Sequence, residues 1–451
     1  RLVGSEMCIR DRYYCEDPFL NQLGVNPVFN LLTSTLDDNR KENRTLHLMS
    51  EEDALSKVQK YLHRQGIDRL SPIARKVERE GTPNRRNVVL VFMESMSANL
   101  MGTFGSDKKL TPYLDSLYQQ SLSFSHFYSS GIHTNHGIYS TLYSFPAIMK
   151  RNAMKGSVIP VYSGLPTVLQ ENGYCNLFFM THESQYDNMN AFLRTNGFDE
   201  IYAQENYPSE KVVNSFGVQD DFMYQYALPI LNERAGTGNP FFSVLLSISN
   251  HPPYVIPPYF HPHSDVLEEQ IVEYADWSIR QFMQAAEKQP WFDNTIFVFL
   301  GDHGKMVGTP ECEMPQSYNH IPLMIYGKDI KPGVYDGFGG QVDVSPTLLG
   351  LLNISYLQNN FGVNLLEEER PCMFFTADNL IGARDSVNMF IYSPDSQQEF
   401  KYKLEEGKLH AATGTDEEAF RNLKDYCFSM LQSTESLVKE HKTLDKVSVK
   451  K

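Results

Sequence analysis

Side chains able to bind a metal ion follow three apolar runs of the sequence, each at the point where the run ends. The run "VVLVFM" is followed by Glu94, "FVFLG" by Asp302 and His303, and "LLSISN" by His251. In open α/β sheets, ligands bind beyond the carboxyl ends of the strands, so these side chains can converge. Carboxylate and imidazole side chains suit a hard or borderline divalent cation. Taken singly, a Glu at a strand end also fits a capping role, and "GDHG" fits an ordinary turn.

A hydroxyl that such a cation could activate lies in the segment "GIHTNHGIYSTLYS". This segment places Thr134 after a Gly-containing turn, at the start of a predicted helix. Free backbone N–H groups at a helix N-terminus favour an anion, and metal coordination lowers the pKa of a hydroxyl. Thr134 is therefore a candidate nucleophile. The alternative is that its hydroxyl only caps the helix, and spacing alone leaves both interpretations open.

The histidines near these positions differ in what they can do. His133 and His136 flank Thr134, and we expect one of them to lie at the rim and the other to be packed, with a substrate contact by either as the alternative. His251 is followed by two prolines, which stiffen the backbone beneath it. His251 is therefore a candidate for contacting a phosphate or for protonating a leaving oxygen.

Short apolar runs alternate with helical patterns through most of the chain. Predicted strands, apolar enough to be buried on both faces, cover 87–93, 175–181, 241–249, 295–301 and 322–327. Predicted helices cover 110–121, 164–173, 219–234, 267–289 and 344–352. This alternation predicts an α/β sandwich with a central, mainly parallel sheet flanked by helices.

Four segments follow from changes in composition along the chain. Residues 1–12 contain "MCIRDR", which back-translates to a sequencing adapter, and we interpret them as an artefact. Residues 13–84 are predicted to be a helical juxtamembrane segment and linker, with helices at 26–35 and 50–67. Residues 85–355 form the predicted catalytic domain. Residues 356–451 form a small α+β appendage that ends in a helix capped by Thr415.

Composition excludes several classes of function. The 451 residues include 40 Lys and Arg against 55 Asp and Glu, a formal charge of -15, and contain no basic run. We therefore expect no nucleic-acid partner. The six cysteines form no C-x-x-C pair, which argues against a zinc ribbon or a thioredoxin-type site.

Six motifs occur in the order seen in a known family. They are "FMES", "SSGIHTNHG", "SNHPPY", "FLGDHG", "NHIPLMIYG" and "QVDVSPTLLGLL". Together they resemble the lipoteichoic acid synthase family of phosphoglycerol transferases, within the alkaline phosphatase and sulfatase superfamily, over roughly residues 85–355. No cysteine has the C/S-x-P-x-R setting of sulfatases, so sulfate-ester hydrolysis is disfavoured.

The resemblance implies a site for one divalent cation. Glu94, Thr134, Asp302 and His303 would hold it, with Thr134 as the nucleophile and His251 near the phosphate or the leaving group. Mn²⁺ is the cation we expect, and Zn²⁺ or Mg²⁺ are the alternatives.

The resemblance also implies contacts to the substrate. The candidates are His133, His182, Asp187, Asn188, His251 and His320. For His320 the alternative is a structural histidine that fixes a loop. Where the family carries a Trp and an Arg that help to hold glycerol phosphate, this chain has Asp187 and Met189. The identity of the head group is therefore open.

The expected function is transfer of a phosphoglycerol-type head group from a phospholipid donor to a glycan or lipid acceptor, through a phosphothreonine. The catalytic domain would lie outside the cytoplasm, at a cell membrane to which an N-terminal anchor upstream of this chain attaches it. Three alternatives remain: a phosphoethanolamine transferase, a phosphodiesterase or phosphatase, and a catalytically silent binding domain. The complete set of Glu94, Thr134, Asp302 and His303 argues against the silent domain.

Overall fold

A computed structural model describes residues 46–67, 70–156, 158–405, 407–412 and 417–445. The interpreted artefact at 1–12, the predicted helix at 26–35 and the capping residue Thr415 lie outside these ranges. Among the described residues, no helix combines the length and the apolar character needed to cross a membrane.

The described ranges contain helices that are numbered here in chain order. They are α1 Glu51–Tyr61, α2 Pro112–Gln120, α3 Thr134–Tyr143, α4 Leu165–Glu171, α5 Met189–Thr195, α6 Asp220–Ala235, α7 Leu267–Ala286, α8 Gln316–Asn319, α9 Val344–Leu351 and α10 Glu417–Lys439.

The strands are numbered in the same way. They are β1 Arg75–Val77, β2 Asn87–Met93, β3 Leu122–Tyr128, β4 Cys175–Met180, β5 Glu200–Tyr202, β6 Val212–Asn214, β7 Gly217–Val218, β8 Phe241–Leu246, β9 Thr295–Gly301, β10 Leu323–Tyr326, β11 Gly333–Gly340, β12 Tyr356–Gln358, β13 Met373–Thr376, β14 Ile381–Arg384, β15 Asn388–Ser393, β16 Gln398–Glu405 and β17 Lys408–Ala411.

Eight strands form the central sheet, in the order β11-β3-β10-β9-β2-β8-β4-β5. Neighbours run parallel except at β10, which is antiparallel to both β3 and β9. The prediction of a mainly parallel sheet is confirmed. Because β2, β8 and β9 are adjacent and parallel, the residues that follow their carboxyl ends meet at one edge of the sheet.

Strand β2 shows why the sheet is covered on both faces. All seven of its residues are buried. Val88, Leu90 and Phe92 pack into one apolar cluster together with residues of α3, α4 and α9. The alternate residues Val89 and Val91 pack into a second cluster with residues of α2, α6 and α7. Side chains alternate across a strand, so a wholly apolar run requires helices on both sides.

The C-terminal part of the chain forms a second, smaller sheet. Strands β13 to β17 pair in sequence order, and every pair is antiparallel. Helix α10 packs on β14 and β15 and on α1. The predicted helical stripe of Phe420, Leu423, Cys427, Met430 and Leu437 is buried, as expected for core packing.

Two strands of the central sheet carry no strong sequence signal. Strand β3 reads "LSFSHFY", in which polar residues interrupt the apolar pattern. Strand β11 reads "GVYDGFGG" and lies at the edge of the sheet, half exposed. Strand β1 of the predicted linker pairs with β12, so this part of the linker is attached to the first residues of the predicted appendage, directly after the predicted catalytic domain.

Candidate active site

Three predicted metal ligands meet at the carboxyl ends of β2 and β9. Glu94, Asp302 and His303 each offer a ligand atom, and these atoms lie within 4.8 Å of one another. Glu94 is 1% exposed and Asp302 is fully buried. We call these three residues the inner cluster.

Hydrogen bonds fix the inner cluster and leave ligand atoms unused. The backbone N–H groups of Ser95 and His303 donate to Asp302 Oδ1, at 2.8 and 2.7 Å. Asp302 Oδ2 is buried and accepts no hydrogen bond from the residues that the structure describes. His303 Nδ1 lies 2.8 Å from the carbonyl oxygen of Gly304, which assigns the proton to Nδ1. The Nε2 lone pair of His303 is then free, 3.6 Å from Asp302 Oδ2.

The electrostatics of the inner cluster fit a bound cation. Burial and the neighbouring charge of Asp302 raise the pKa of Glu94 well above its ordinary value. Two buried carboxylates without a counter-charge are costly, and a divalent cation would remove that cost. The orphaned Asp302 Oδ2, the free His303 Nε2 and the carboxylate of Glu94 form a mixed O and N donor set that suits such an ion.

Thr134 lies beside the inner cluster. Its Oγ1 donates to Glu94 Oε2 at 3.4 Å. It is the first residue of α3, and the N-cap position belongs to His133, whose side chain makes no capping bond. The alternative interpretation of Thr134 as a helix cap is therefore wrong, because its hydroxyl is directed to Glu94 instead.

A glycine allows α3 to approach the end of β9. A Cβ atom on Gly137 would lie 2.3 Å from the carbonyl oxygen of Asp302. A real Cβ cannot come so close to a backbone oxygen, so any other residue would push the helix away. The "HTNHG" spacing thus holds the start of the helix, and Thr134 with it, against the inner cluster.

His251 follows β8, in a loop that is tied to β2. Asn250 is buried, and its Nδ2 donates to the carbonyl oxygens of Glu94 and Ser95 at 3.1 and 3.3 Å. His251 Nδ1 lies 2.6 Å from the carbonyl oxygen of Pro252, so Nε2 is free to meet a ligand. Asp220 accepts the N–H groups that precede this loop, and burial raises its pKa to about 6.

His182 occupies the neighbouring strand end, after β4. It is 2% exposed, and burial lowers the pKa of its imidazole. Its Nδ1 lies 3.0 Å from the carbonyl oxygen of Glu183, and its ring lies 4.9 Å from that of Tyr186. The neutral ring of His182 therefore has a free Nε2.

A second group of polar side chains lies next to Thr134. Asn135 Nδ2 donates to Asp187 Oδ2 at 3.1 Å, and Lys155 Nζ donates to Asp187 Oδ1 at 2.8 Å. Asn135 directly follows Thr134 in the chain, so this group adjoins the candidate nucleophile. We call Asn135, Lys155 and Asp187 the outer cluster.

The backbone that carries Asp187 is unusual. Asp187 and Asn188 have φ values of 53° and 65°, in the left-handed region that non-glycine residues seldom adopt. The side chain of Asn188 donates to the carbonyl oxygen of Met154 at 2.8 Å. Asn188 thus braces the loop that carries Lys155 with one of its two amide N–H groups, and its contact with substrate stays a prediction.

The C-terminal sheet reaches the site through His133. His133 Nε2 lies 2.5 Å from Asp378 Oδ1, in the turn between β13 and β14. His136 is 1% exposed, and burial lowers its pKa to about 3. Of the two histidines flanking Thr134, His133 is therefore the one at the rim and His136 is the packed one.

His320 does not belong to this group. Its Nε2 lies 2.9 Å from the carbonyl oxygen of Ser125, and its ring stacks on Tyr128. Its ring and Nε2 fix the loop before β10 to β3, which fits the alternative interpretation of a structural histidine. The contact of His320 with substrate stays a prediction.

Sequence reasoning missed several side chains at the site. They are Ser95, Asn135, Lys155, Asn250, Lys305 and Asp378. Of these, Lys305 could have been predicted from the sequence, because it lies two residues after His303 in "GDHGK". Its Nζ donates to Asn250 Oδ1 at 2.6 Å, and burial lowers its pKa to about 8.

Comparison with known proteins agrees with this architecture. The family model described as Sulfatase matches residues 86–354. The lipoteichoic acid synthase-like protein YvgJ of Bacillus subtilis (strain 168) is 25% identical over 362 residues, which are 73% of this chain and 56% of that protein. Lipoteichoic acid synthase of Staphylococcus aureus (strain NCTC 8325 / PS 47) is 24% identical over 400 residues, which are 78% and 58% of the two chains. The chain thus spans somewhat more than half the length of these curated relatives.

Solved structures share the fold. A protein in the alkaline phosphatase superfamily from Vibrio parahaemolyticus has a TM-score of 0.79 at 25% identity, covering 88% of this chain and 97% of that one. The lipoteichoic acid synthase LtaP from Listeria monocytogenes has a TM-score of 0.67 at 22% identity, covering 85% and 98%. With the family model matching more than half of its residues, the chain belongs to the sulfatase family, as a lipoteichoic acid synthase-like member of the alkaline phosphatase superfamily.

Proposed function

We propose that this protein is a metal-dependent transferase that moves a phosphoglycerol-type head group from a phospholipid to a hydroxyl of a glycan or lipid acceptor. The observation that carries the proposal is the placement of Thr134 Oγ1 at the start of α3, 3.4 Å from Glu94 Oε2 of the inner cluster. The names of the relatives, which are lipoteichoic acid synthases, support this class of reaction.

The inner cluster supplies the site for a cation. Glu94, Asp302, His303 and the hydroxyl of Thr134 would hold one divalent ion, with Mn²⁺ as our first choice. When bound, the ion would make the Thr134 hydroxyl more acidic and would stabilise negative charge on phosphoryl oxygens. Among protein groups, the N–H groups of Thr134 and Asn135 at the start of α3 add to this stabilisation, whereas those of His136 and Gly137 already donate to the His133 carbonyl.

The first step forms a covalent intermediate. The Thr134 hydroxyl first gives its proton to solvent, and Thr134 Oγ1 then attacks the phosphorus of the donor lipid. An oxygen–phosphorus bond forms to Thr134, and the bond from phosphorus to the diacylglycerol oxygen breaks. His251, entering the step as an imidazolium whose Nδ1–H donates to the carbonyl of Pro252, gives its Nε2 proton to that leaving oxygen. The product is diacylglycerol, with phosphoglycerol esterified to Thr134.

The second step reverses the roles. A hydroxyl of the acceptor gives its proton to His251 Nε2 and attacks the phosphorus, and the bond to Thr134 Oγ1 breaks. His251 thus begins and ends the cycle with a proton on Nε2, while Thr134 Oγ1 regains the state in which it attacked. His182, neutral and buried beside the site, would orient the head group through Nε2.

The outer cluster favours a glycerol over an ethanolamine head group. Both oxygens of Asp187 already accept hydrogen bonds, from Asn135 and from Lys155. An ammonium head group would have to displace Lys155 from that carboxylate. A glycerol head group carries no ammonium to compete with Lys155 for the Asp187 carboxylate, so it can bind without breaking that ion pair.

We also propose that the catalytic domain works outside the cytoplasm at a membrane surface. Phospholipid donors are found in membranes, and the curated relatives are longer than the region they share with this chain. A tether in the full-length protein would hold the site close to its donor.

Product analysis tests the proposal. Wild-type protein is incubated with labelled phosphatidylglycerol or phosphatidylethanolamine, with and without Mn²⁺, and diacylglycerol is measured. We expect Mn²⁺-dependent release from phosphatidylglycerol that is lost in Thr134→Ala. Thr195→Ala is a matched control, since Thr195 lies on α5 and its hydroxyl donates to the Ala191 carbonyl of the same helix. Diacylglycerol release that persists in Thr134→Ala contradicts the assignment of Thr134 as the nucleophile. Release from phosphatidylethanolamine but not from phosphatidylglycerol would show that the transferred head group is phosphoethanolamine. Transfer of the head group to water would show that the protein is a phosphodiesterase.

A further inference from the structure

Lys305 is a cation at the active site that has no anionic partner among the residues that the structure describes. Its Nζ donates to the neutral oxygen Asn250 Oδ1 at 2.6 Å and lies 5.6 Å from the centre of the Tyr254 ring. Glu94 and Glu268 are close enough for their charge to act on it. Neither of them, nor any other carboxylate in the described ranges, forms an ion pair with it.

The position of Lys305 is fixed from both sides. Its backbone N–H donates to Ser97 Oγ at 2.8 Å, and its backbone oxygen accepts from the same hydroxyl at 3.0 Å. Asn250, which accepts from its side chain, donates in turn to the carbonyl oxygens of Glu94 and Ser95. The ammonium therefore lies at the same sheet edge as the inner cluster and next to the loop of His251.

An ammonium group has three donors, and the described residues use one of them here. Burying a charge is unfavourable unless it meets an opposite charge or enough hydrogen bonds. The remaining donors at this edge of the sheet are suited to an anion that arrives with the substrate.

Charge balance at the site indicates what that anion is. The two carboxylates of the inner cluster, Glu94 and Asp302, offset the two charges of a divalent cation. The charge of a phosphodiester, and the further charge that develops on its oxygens during transfer, then requires another cation. The side chain of Lys155 is engaged by Asp187, whereas Lys305 is not engaged by any carboxylate of the described residues.

We propose that Lys305 is a further catalytic residue, whose ammonium binds a nonbridging oxygen of the phosphoryl group transferred at Thr134. This inference rests on the proposed function for the identity of the phosphodiester, but the phosphate contact itself can be tested without turnover. The ligand class is a phosphate ester, and the contact is a charge-assisted hydrogen bond.

The alternative is that Lys305 only braces the loop of Asn250, and substitutions separate the two roles. Lys305→Gln removes the charge but retains a donor for Asn250 Oδ1. Lys305→Arg keeps the charge in a different shape, and Lys305→Met removes both charge and donor. A phosphate contact predicts that Arg retains most of the binding and that Gln behaves like Met. A bracing role predicts that Gln substitutes better than Arg.

The probe is glycerol 1-phosphate, and its affinity is measured by titration calorimetry with Mn²⁺ present. We expect affinity to fall about 10- to 100-fold in Lys305→Gln and Lys305→Met, and only a few-fold in Lys305→Arg. Lys328→Gln is the matched control, since Lys328 is exposed and paired with Asp293. A separate Mn²⁺ titration should give the same affinity for all variants.

Two results overturn the contact: Lys305→Gln binding glycerol 1-phosphate within two-fold of the wild type, or Lys305→Arg losing as much as Lys305→Met. Absence of binding to the wild type overturns it as well. If the expected order of variants is found but labelled phosphatidylglycerol releases no diacylglycerol, the contact stands and the proposed transfer fails. If transfer occurs and Lys305→Gln leaves both the transfer rate and the affinity for glycerol 1-phosphate unchanged, the proposed transfer stands and the Lys305 contact fails.

Discussion

The inner and outer clusters flank the same threonine, but they are built in different ways. Glu94, Asp302 and His303 follow buried strands, and backbone N–H groups hold the carboxylate of Asp302. Asp187 lies in a one-turn 3₁₀ helix and Lys155 in a loop, and the Lys155 side chain is 52% exposed. An ion pair so open to solvent contributes little energy, about 0–1 kcal/mol. The inner cluster therefore determines which chemistry is available, and the outer cluster can adjust which head group is accepted.

The largest expected effect lies in the inner cluster. Asp302→Asn keeps Oδ1, which accepts the N–H groups of Ser95 and His303, but replaces the orphaned Oδ2 with an amide. The fold should survive, while the rate of diacylglycerol release falls about 10³-fold or more, since a charged ligand is lost. The rate and the circular dichroism spectrum are measured together.

A control for this prediction lies at the other end of the same strand. Asp293 just precedes β9, is exposed and pairs with Lys328. Asp293→Asn should leave the rate within about two-fold of the wild type, as surface changes usually do. Equal losses in the two variants would mean that Asp302 acts through the stability of β9 rather than through a bound ion.

Metal addition tests the inner cluster through stability. Because burial and Asp302 disfavour the charged form of Glu94, binding of a cation should stabilise the folded protein. At a free Mn²⁺ concentration of 100 times Kd the gain is about 2.7 kcal/mol. Thermal unfolding with Mn²⁺ and with a chelator measures it. Glu94→Gln should lose most of the Mn²⁺-dependent rise in Tm, and an undiminished rise would show that the ion binds elsewhere.

A histidine outside both clusters gives a pH effect of similar size. Burial lowers the pKa of His320 to about 4, whereas an unfolded histidine titrates near 6.5. Between these values the unfolded chain binds more protons, so stability is complete above about pH 6.5 and is lost as the pH falls toward 4. The loss attributable to His320 is on the order of 2–3 kcal/mol.

His320→Gln isolates that contribution. The glutamine amide can still donate to the Ser125 carbonyl but cannot be protonated. Free energies of unfolding at pH 7.5 and 4.5 should differ less in this variant than in the wild type, while the diacylglycerol release rate at neutral pH stays within a few-fold. A large loss of the diacylglycerol release rate at neutral pH would instead indicate that His320 contributes to catalysis.

The smallest expected effect lies in the outer cluster. Asp187→Asn removes the ion pair with Lys155 and the charge beside Asn135. We expect KM for phosphatidylglycerol to rise about 3- to 10-fold and kcat to change less than about two-fold, because the cluster binds rather than reacts. The ratio of phosphatidylglycerol to phosphatidylethanolamine use should change as well. A loss confined to kcat would place Asp187 in the chemistry and remove the distinction between the two clusters.

The sequence made the inner cluster readable for a physical reason. Burying an ionisable side chain at the end of an apolar strand costs free energy unless that side chain is hydrogen-bonded or binds a ligand. Glu94 and Asp302 were therefore recognisable as candidates. The parallel order of β2, β8 and β9 then brought them and His251 to one edge. The α/β alternation, the main strands and the C-terminal antiparallel sheet were predictable from the same patterns.

The remaining features depend on distances between segments that are far apart in the chain. The contact between Asn135 and Asp187 spans 52 positions, and that between His133 and Asp378 spans 245. No local periodicity encodes such pairs. His320 shows the opposite case, since its motif was readable but its role depended on what surrounds it in the fold.

The central claim is that Thr134 carries the transferred group, and the most direct measurement is to find it there. The Mn²⁺-loaded protein is mixed with phosphatidylglycerol without an acceptor, quenched in acid, digested and analysed by mass spectrometry. We predict that one phosphoglycerol group is attached to Thr134 and disappears when an acceptor alcohol is added. Diacylglycerol release in an amount equal to the enzyme, with Thr134 unmodified at every time point, would contradict it.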